Sequence, residues 1–279
     1  MITLDDLVQE VQGLAPLPTA AAKLVQILAV DEAEVGTAVE IIRFDQALTA
    51  SVLRYANSPI AGAYYPTNSI KDATIRIGLG KVLEIAISSH VREPMGNALP
   101  EYGLGEEELW THSVASALAA EVMLRDHKMA IPQLSFAAAL LHDIGKLVLT
   151  RHLDPAIQGS IRRLTTDCSM TYYRAELEVL GFSHADLGAQ ISERWNLGKD
   201  ISRAIGTHHE VETTPGPVAD VVRISNLAAK TVGSGLGFEG MNLEADAGAC
   251  ERLGLDRSGF ERLSADVAVL LRDIQKSHS

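Results

Sequence analysis

Apolar residues recur at intervals of three and four along nearly the whole chain, as in Leu24, Ile27 and Leu28 or Leu118, Val122 and Met123. Stretches of strict alternation are few, so the pattern predicts an all-α protein. Ser69 followed by Asp72 has the form of a capping box, and Ser183 and Thr19 are placed to cap the helices they precede. Proline and glycine mark the interruptions: Pro59 to Pro66, Pro94 to Gly105, Thr213 to Pro217, and Gly233 to Gly240, the last reading as the most flexible. There is no low-complexity tract or internal repeat, which argues against a solenoid. The Pro94 to Gly105 loop is the best boundary, dividing an N-terminal helical lobe (residues 1–100) from a second helical lobe (101–279). A helix rich in small residues, from about Glu106 to Asp126, opens the second lobe.

At 279 residues, 47% of them hydrophobic, the chain is long enough to bury a substantial core. Its 24 basic and 36 acidic residues leave a formal charge of -12. Nucleic acid and anionic membrane surfaces would be repelled on average, and neither is expected as a partner. Two cysteines, Cys168 and Cys250, are too few for a disulfide framework or a thiolate zinc site and suit a reducing compartment. Met1 to Leu14 carries acids rather than a basic leader, and no apolar run reaches the roughly 18 residues of a membrane helix. The expectation is a cytoplasmic protein with no signal peptide and no membrane span.

The N-terminal half offers little chemistry. Asp45, Asn57, Ser58 and Ser69 stand among Ala, Leu and Ile at helical intervals and read as caps and loop hydrogen bonds. Their setting is distinctive, however: residues 16–24 read PLPTAAAKL, residues 44–58 FDQALTASVLRYANS, and residues 69–78 SIKDATIRIG. These words, in this order, resemble the HDOD family of bacterial signalling modules, with a leucine-proline entry, a D-x-x-L helix, an N-S loop and an S-I-x-x-A-I-x-x-x-G helix. The resemblance runs from about residue 9 to beyond residue 209. Gln46 stands where that family often has proline.

The second half holds the histidines. AAALLHDIGKLV, residues 137–148, reads as an apolar helix carrying His142, Asp143 and Lys146. Ionisable groups so placed need partners. His112 lies 30 residues earlier on the preceding helix, His184 opens a helix after Phe182-Ser183, and His208 and His209 end another before Glu210. Imidazoles and carboxylates converging from facing helices are how helical proteins hold transition metals, so the pattern suggests a metal site inside a bundle.

The same order resembles the HD phosphohydrolase superfamily, of which HDOD modules are a divergent branch. The resemblance implies an HD-domain-like bundle in which His112, His142 and Asp143 hold a first metal and His184, His208 and His209 a second. It places Lys146 on the lysine that contacts substrate phosphate in active members. One or two divalent ions, iron, manganese or zinc, are implied. Two departures stand out. Asn226, in VADVVRISNLAAK, occupies the place of the last aspartate ligand, and an amide is a neutral, weaker ligand. After Glu210 the chain reads VETTPGP and lacks the Gly-Tyr-Pro signature of cyclic di-GMP hydrolases.

The alternative for His112, His142 and Asp143 is a metal-free network in which the aspartate accepts hydrogen bonds from the imidazoles. His208 and His209 can both ligate only if their helix ends or bends there, since adjacent helical side chains diverge by about 100°. Asp220, six residues before Asn226, reads as a solvated acid near a helix start, and His90, His127 and His152 are given no role. Two functions follow. One is a non-catalytic output or relay module of a response-regulator-type system, working through a signalling partner, with any receiver domain outside this chain. The other is a metal-dependent phosphohydrolase or phosphodiesterase acting on a nucleotide or cyclic dinucleotide.

Overall fold

A computed structural model describes Leu4, Leu7 and residues 16–28, 34–126, 131–210, 216–240 and 246–278. His127 and most of the Thr213 to Pro217 loop lie outside the described residues. Among the described residues the structure is helical without strands, and a lone bridge joins Leu99 to Leu104. The N-terminal helices are α1 (Thr19–Leu28), α2 (Val35–Arg43), α3 (Gln46–Ala56), α4 (Ile70–Ile77) and α5 (Leu79–Gly96). They are followed by α6 (Glu108–Asp126), α7 (Ser135–Leu141), α8 (Lys146–Leu149), α9 (Pro155–Asp167), α10 (Tyr172–Leu180) and α11 (His184–Arg194). The chain continues with α12 (Lys199–Gly206), α13 (Pro217–Thr231), α14 (Ala247–Arg252) and α15 (Arg257–His278). None of the described helices is long and apolar enough to cross a membrane.

The short polar residues of the N-terminal half do cap and tie. Asp45 accepts from Leu48 N at 3.0 Å to start α3, Ser69 accepts from Asp72 N at 3.1 Å to start α4, and Asn57 pairs through both amide atoms with the backbone of Thr67. Each satisfies backbone groups that a helix end or loop leaves unpaired. α6 begins two residues later than expected because Glu107 adopts a left-handed conformation, φ 65°, and stops helix propagation before Glu108.

α6 is the central strut. It packs against α7, α13 and α15, and α5 reaches it from the N-terminal side. Its inner face is made of alanines and serines, with Ala115, Ala117, Ala119, Ser113 and Ser116 fully buried, so neighbouring helices approach closely. α13 is buried along almost its whole length, including Asp220, Arg223, Asn226 and Lys230. Polar groups in such a helix need partners, and Asp220, Arg223 and Lys230 take theirs from Arg252, Asp246 and Glu239 on other segments.

Three expectations need correction. α5 runs through Pro94 to Gly96, so the interruption before α6 opens at Asn97 rather than at Pro94. The run 137–148 is not one helix: α7 ends at Leu141, and His142 to Gly145 form a tighter turn in which Ile144 N bonds Leu141 O and Lys146 N bonds Asp143 O before α8 resumes. The break turns the His142-Asp143 pair inward. Asp220 is no solvated acid, being 3% exposed and clamped by Arg252, whose Nε and Nη2 lie 2.7 and 2.6 Å from its two oxygens. Burial on the inner face of α13 makes that bidentate pair necessary.

Candidate metal centre

The site forms where α6, the turn after α7, the start of α11 and the end of α12 meet. Gly145 makes this meeting possible: a Cβ there would lie 1.9 Å from His184 O and 2.7 Å from Gly188 N. No side chain fits, so the His142 to Gly145 turn rests directly on the first turn of α11. That turn is fixed by a full capping box between Ser183 and Asp186, which presents His184 as the first helical residue. α12 ends at Gly206, so His208 and His209 occupy a turn rather than a helix. Freed from the 100° divergence of a helix, their rings approach to 4.0 Å between centroids.

The structure therefore brings together His112, His142, Asp143, His184, His208 and His209. Ligand atoms of Asp143, His184, His208 and His209 lie within 4.8 Å of one another, as do those of His112, His142 and Asp143. Asp143 stands between the two groups. Its Oδ2 faces His142 Nε2 at 3.4 Å and His112 Nε2 at 3.7 Å, while Oδ1 faces His184 Nε2 at 3.4 Å and His208 Nε2 at 3.7 Å.

The outer nitrogens decide the tautomers. Nδ1 of His112 meets Ser234 O at 2.9 Å, that of His142 meets Ala139 O at 2.7 Å, and that of His208 meets Ile205 O at 2.6 Å. A carbonyl only accepts, so each Nδ1 carries the proton and each neutral ring points a bare Nε2 inward. His112 Nε2 and His142 Nε2 nevertheless lie 3.2 Å apart. Two bare lone pairs so close need a cation between them. Nitrogens bound to one ion at about 2.0–2.1 Å stand about 2.8–3.4 Å apart for octahedral or tetrahedral angles. Asp143 Oδ1, His208 Nε2 and Asn226 Oδ1 are buried with no hydrogen-bond partner. The donor set, the spacing and these orphaned atoms fit one or two divalent metals.

Electrostatics separate the histidines. Burial and the neighbouring His142 push His112 down to about 4, and burial with neighbouring imidazoles also lowers His208 and His209. His142 is lowered chiefly by burial. His184 goes the other way: burial opposes its charge, but Glu176 and Asp143 outweigh it and push the imidazole up to about 9. Glu176 is fully buried, accepting from His184 N at 2.9 Å, from its Nδ1 at 2.7 Å and from Tyr102 OH at 2.8 Å. For Asp143 burial is overcome by Lys146, His142 and His184, which hold it well below the usual carboxylate range.

Lys146 is 3% exposed and donates to Asp143 Oδ2 at 2.9 Å. It also pairs with Glu239, which accepts in turn from Lys230 Nζ at 2.8 Å. Asn226 is buried beside this chain of charges and lines a cleft with Tyr173, Arg174, His208, His209, Lys230 and Glu239. The sequence reading missed Glu176, Lys230 and Glu239. Lys230 had a signal, lying one turn after Asn226 on an apolar helix, whereas Glu176 and Glu239 look like ordinary surface acids in their local sequence. His90 packs edge-on against Trp195, away from the cluster, and His152 lies in a short 3-10 turn.

Residues 14–211 match the HDOD domain. The chain is 20% identical over 232 residues to an uncharacterised protein of Treponema pallidum, covering 79% of this chain and 43% of that one. It is 28% identical over 202 residues to ribonuclease Y of Frankia alni, covering 70% of this chain and 23% of that one. The chain thus spans less than half the length of these curated relatives. The crystal structure of an HDOD domain protein of unknown function from Geobacter sulfurreducens superposes with a TM-score of 0.66 at 25% identity, over 95% of this chain and 96% of the other.

Proposed function

The chain belongs to the HDOD family, and from that premise we propose that it is a non-catalytic signalling module, the output or relay part of a response-regulator-type system in the cytoplasm. It acts through contacts with a signalling protein, and any receiver domain lies outside this chain. The observation that supports this reading most is the engagement of Lys146. A lysine that is to neutralise phosphoryl oxygens must face the substrate; here its ammonium is buried between Asp143 and Glu239. Asn226 supports the reading further, because an amide in the last ligand position removes one negative charge from the first metal's surroundings.

A bound metal would supply Lewis acidity and a structural crosslink. Iron, manganese or zinc suits the imidazole-rich donors. This chain's own residues do the positioning. His112 presents Nε2 from α6 and His142 from the turn after α7, Asp143 reaches both halves of the site, and Ser234 O, Ala139 O, Glu176 and Ile205 O orient the rings. Such a centre ties α6, the His142 to Gly145 turn, α11 and the end of α12 together, giving a rigid face for a partner.

A metal-dependent phosphodiesterase is the second reading. It is favoured by the near-complete ligand set and by similarity to a ribonuclease. The test combines metal analysis of the purified protein with a screen of phosphate esters and cyclic dinucleotides. Bound metal without turnover is expected, and metal-dependent turnover would overturn the signalling reading.

A further inference from the structure

Away from the metal centre, a cavity of about 200 Å³ lies between the start of α5, the second half of α6 and the start of α7. Glu121 on its wall follows His112 by nine residues of α6, about 14 Å along the axis. Since a cavity of about 150 Å³ admits benzene, this one has room for roughly six to nine heavy atoms. Part of the wall is apolar, made by Ile77, Leu124, Ile131 and Phe136. Another part is the bare end of a helix, formed by Gly78, Leu79, Gly80 and Lys81. Gly78, at φ 80°, lets α5 start directly after α4, and among the described residues no side chain caps that start. The first bond of the helix runs from Val82 N to Gly78 O at 3.2 Å, so the N–H groups of Leu79, Gly80 and Lys81 have no acceptor within it. Ser135 adds to this wall a hydroxyl that is 1% exposed and has no hydrogen-bond partner.

Ionised groups stand beside these donors. The Lys81 ammonium is 2.9 Å from Glu121 Oε2, is paired also with Glu84, and lies 5.4 Å from the centroid of the Phe136 ring. Arg125, on the rim, takes the other oxygen of Glu121. Glu84 has to share the ammonium with Glu121, and burial together with the Glu121 charge pushes its carboxyl up to about 7 against the pull of Lys81. The cavity therefore has donors in want of an acceptor next to a carboxylate in want of a cation. A plain anion would meet Glu84 and Glu121 without compensation, and a plain amine would leave the helix end and Ser135 unsatisfied. A zwitterion satisfies both. The geometry points to a binding site for a free α-amino acid with an apolar side chain, its carboxylate on the α5 N-terminus and the Ser135 hydroxyl, its ammonium on Glu84, and its side chain among Leu124, Ile131 and Phe136. The helix dipole favours the carboxylate at that end, and the apolar wall sets the class of side chain. This inference goes beyond the signalling reading and does not depend on the metal centre.

The test titrates the full chain with L-leucine in a calorimeter at about pH 8, where Glu84 is ionised. Saturable binding of one leucine per chain is expected. Isocaproate, which lacks the ammonium, and leucine methyl ester, which lacks the carboxylate, should each bind at least about tenfold more weakly, the usual cost of a lost hydrogen bond to a charged group. Glu84→Gln should weaken L-leucine by a similar factor without weakening isocaproate, whereas Ser135→Ala should weaken both. Absence of binding by L-leucine, L-valine, L-methionine and L-phenylalanine alike overturns the site. Equal affinity for leucine, isocaproate and the ester overturns the assignment of its two polar ends, as does L-leucine binding that is unchanged in Glu84→Gln. Should either variant fail to fold, the comparison of the three compounds on the unaltered protein decides alone.

Discussion

Replacing Glu176 by glutamine isolates the charge that sets His184 apart from the other histidines. Glu176 is fully buried and receives three hydrogen bonds, from His184 N, His184 Nδ1 and Tyr102 OH, and the amide can keep much of that geometry. What it loses is the negative charge that, with Asp143, raises His184 from 6.5 to about 9. That rise, at about 1.4 kcal/mol per pH unit, is on the order of 3 kcal/mol of stabilisation carried by the protonated imidazole. Because the folded-state value is the raised one, this stability is fully present below pH 6.5 and is lost as pH climbs through about 9. In metal-free protein under chelator, Glu176→Gln should therefore lower the melting temperature far more at pH 6 than at pH 9.5. For a chain of this size about 3 kcal/mol is roughly 5–10 °C. The parent should lose stability between these pH values while the variant stays nearly flat. Thermal denaturation by circular dichroism measures both, and an equal loss at pH 6 and 9.5 would refute the charge argument.

Metal loading should run in the opposite direction with pH. An ion on His184 Nε2 must displace the proton that Glu176 and Asp143 hold on this ring up to about pH 9, so affinity for zinc, read by competition with a chelating dye, should rise about tenfold per pH unit between 7 and 9. Gly145→Ala should destabilise by more than about 3 kcal/mol or prevent folding, because its Cβ meets His184 O at 1.9 Å and backbone cannot yield; urea unfolding gives the figure. Asn226→Asp should tighten metal binding by about 10- to 100-fold if the orphaned Asn226 Oδ1 faces the ion, as calorimetry would register. Destabilisation with no gain in metal affinity would instead place the new acid in a pocket without a cation.

The helical class was legible because burial repeats with the helix period, and α6 and α11 begin within two residues of where their signals put them. The inward histidines were legible because imidazoles on apolar helices have few other uses. What could not be read was the break inside 137–148. Its composition is helical throughout, and only the approach of α11 to Gly145, a contact between residues far apart in sequence, forces the turn that aims His142 and Asp143. Asp220 was misread for the same reason, since its clamp by Arg252 comes from 32 residues away. Glu176 and Glu239 carry no local mark, and both are recognisable only from the charges they meet.

Those two glutamates change how the missing carboxylate at Asn226 is weighed. Taken from the sequence, Asn226 subtracts a negative charge from a site of neutral imidazoles and one aspartate. In the folded chain the balance is different, because Glu176 already supplies a charge behind His184 and Glu239 supplies another against Lys146 and Lys230. The buried anions are held mainly by protein cations, and Asp143 is shared between Lys146 and the space the ligands enclose. A metal entering this site would compete with Lys146 for Asp143. Metal occupancy is therefore set by the strength of the Lys146–Asp143 pair as much as by the neutral amide of Asn226.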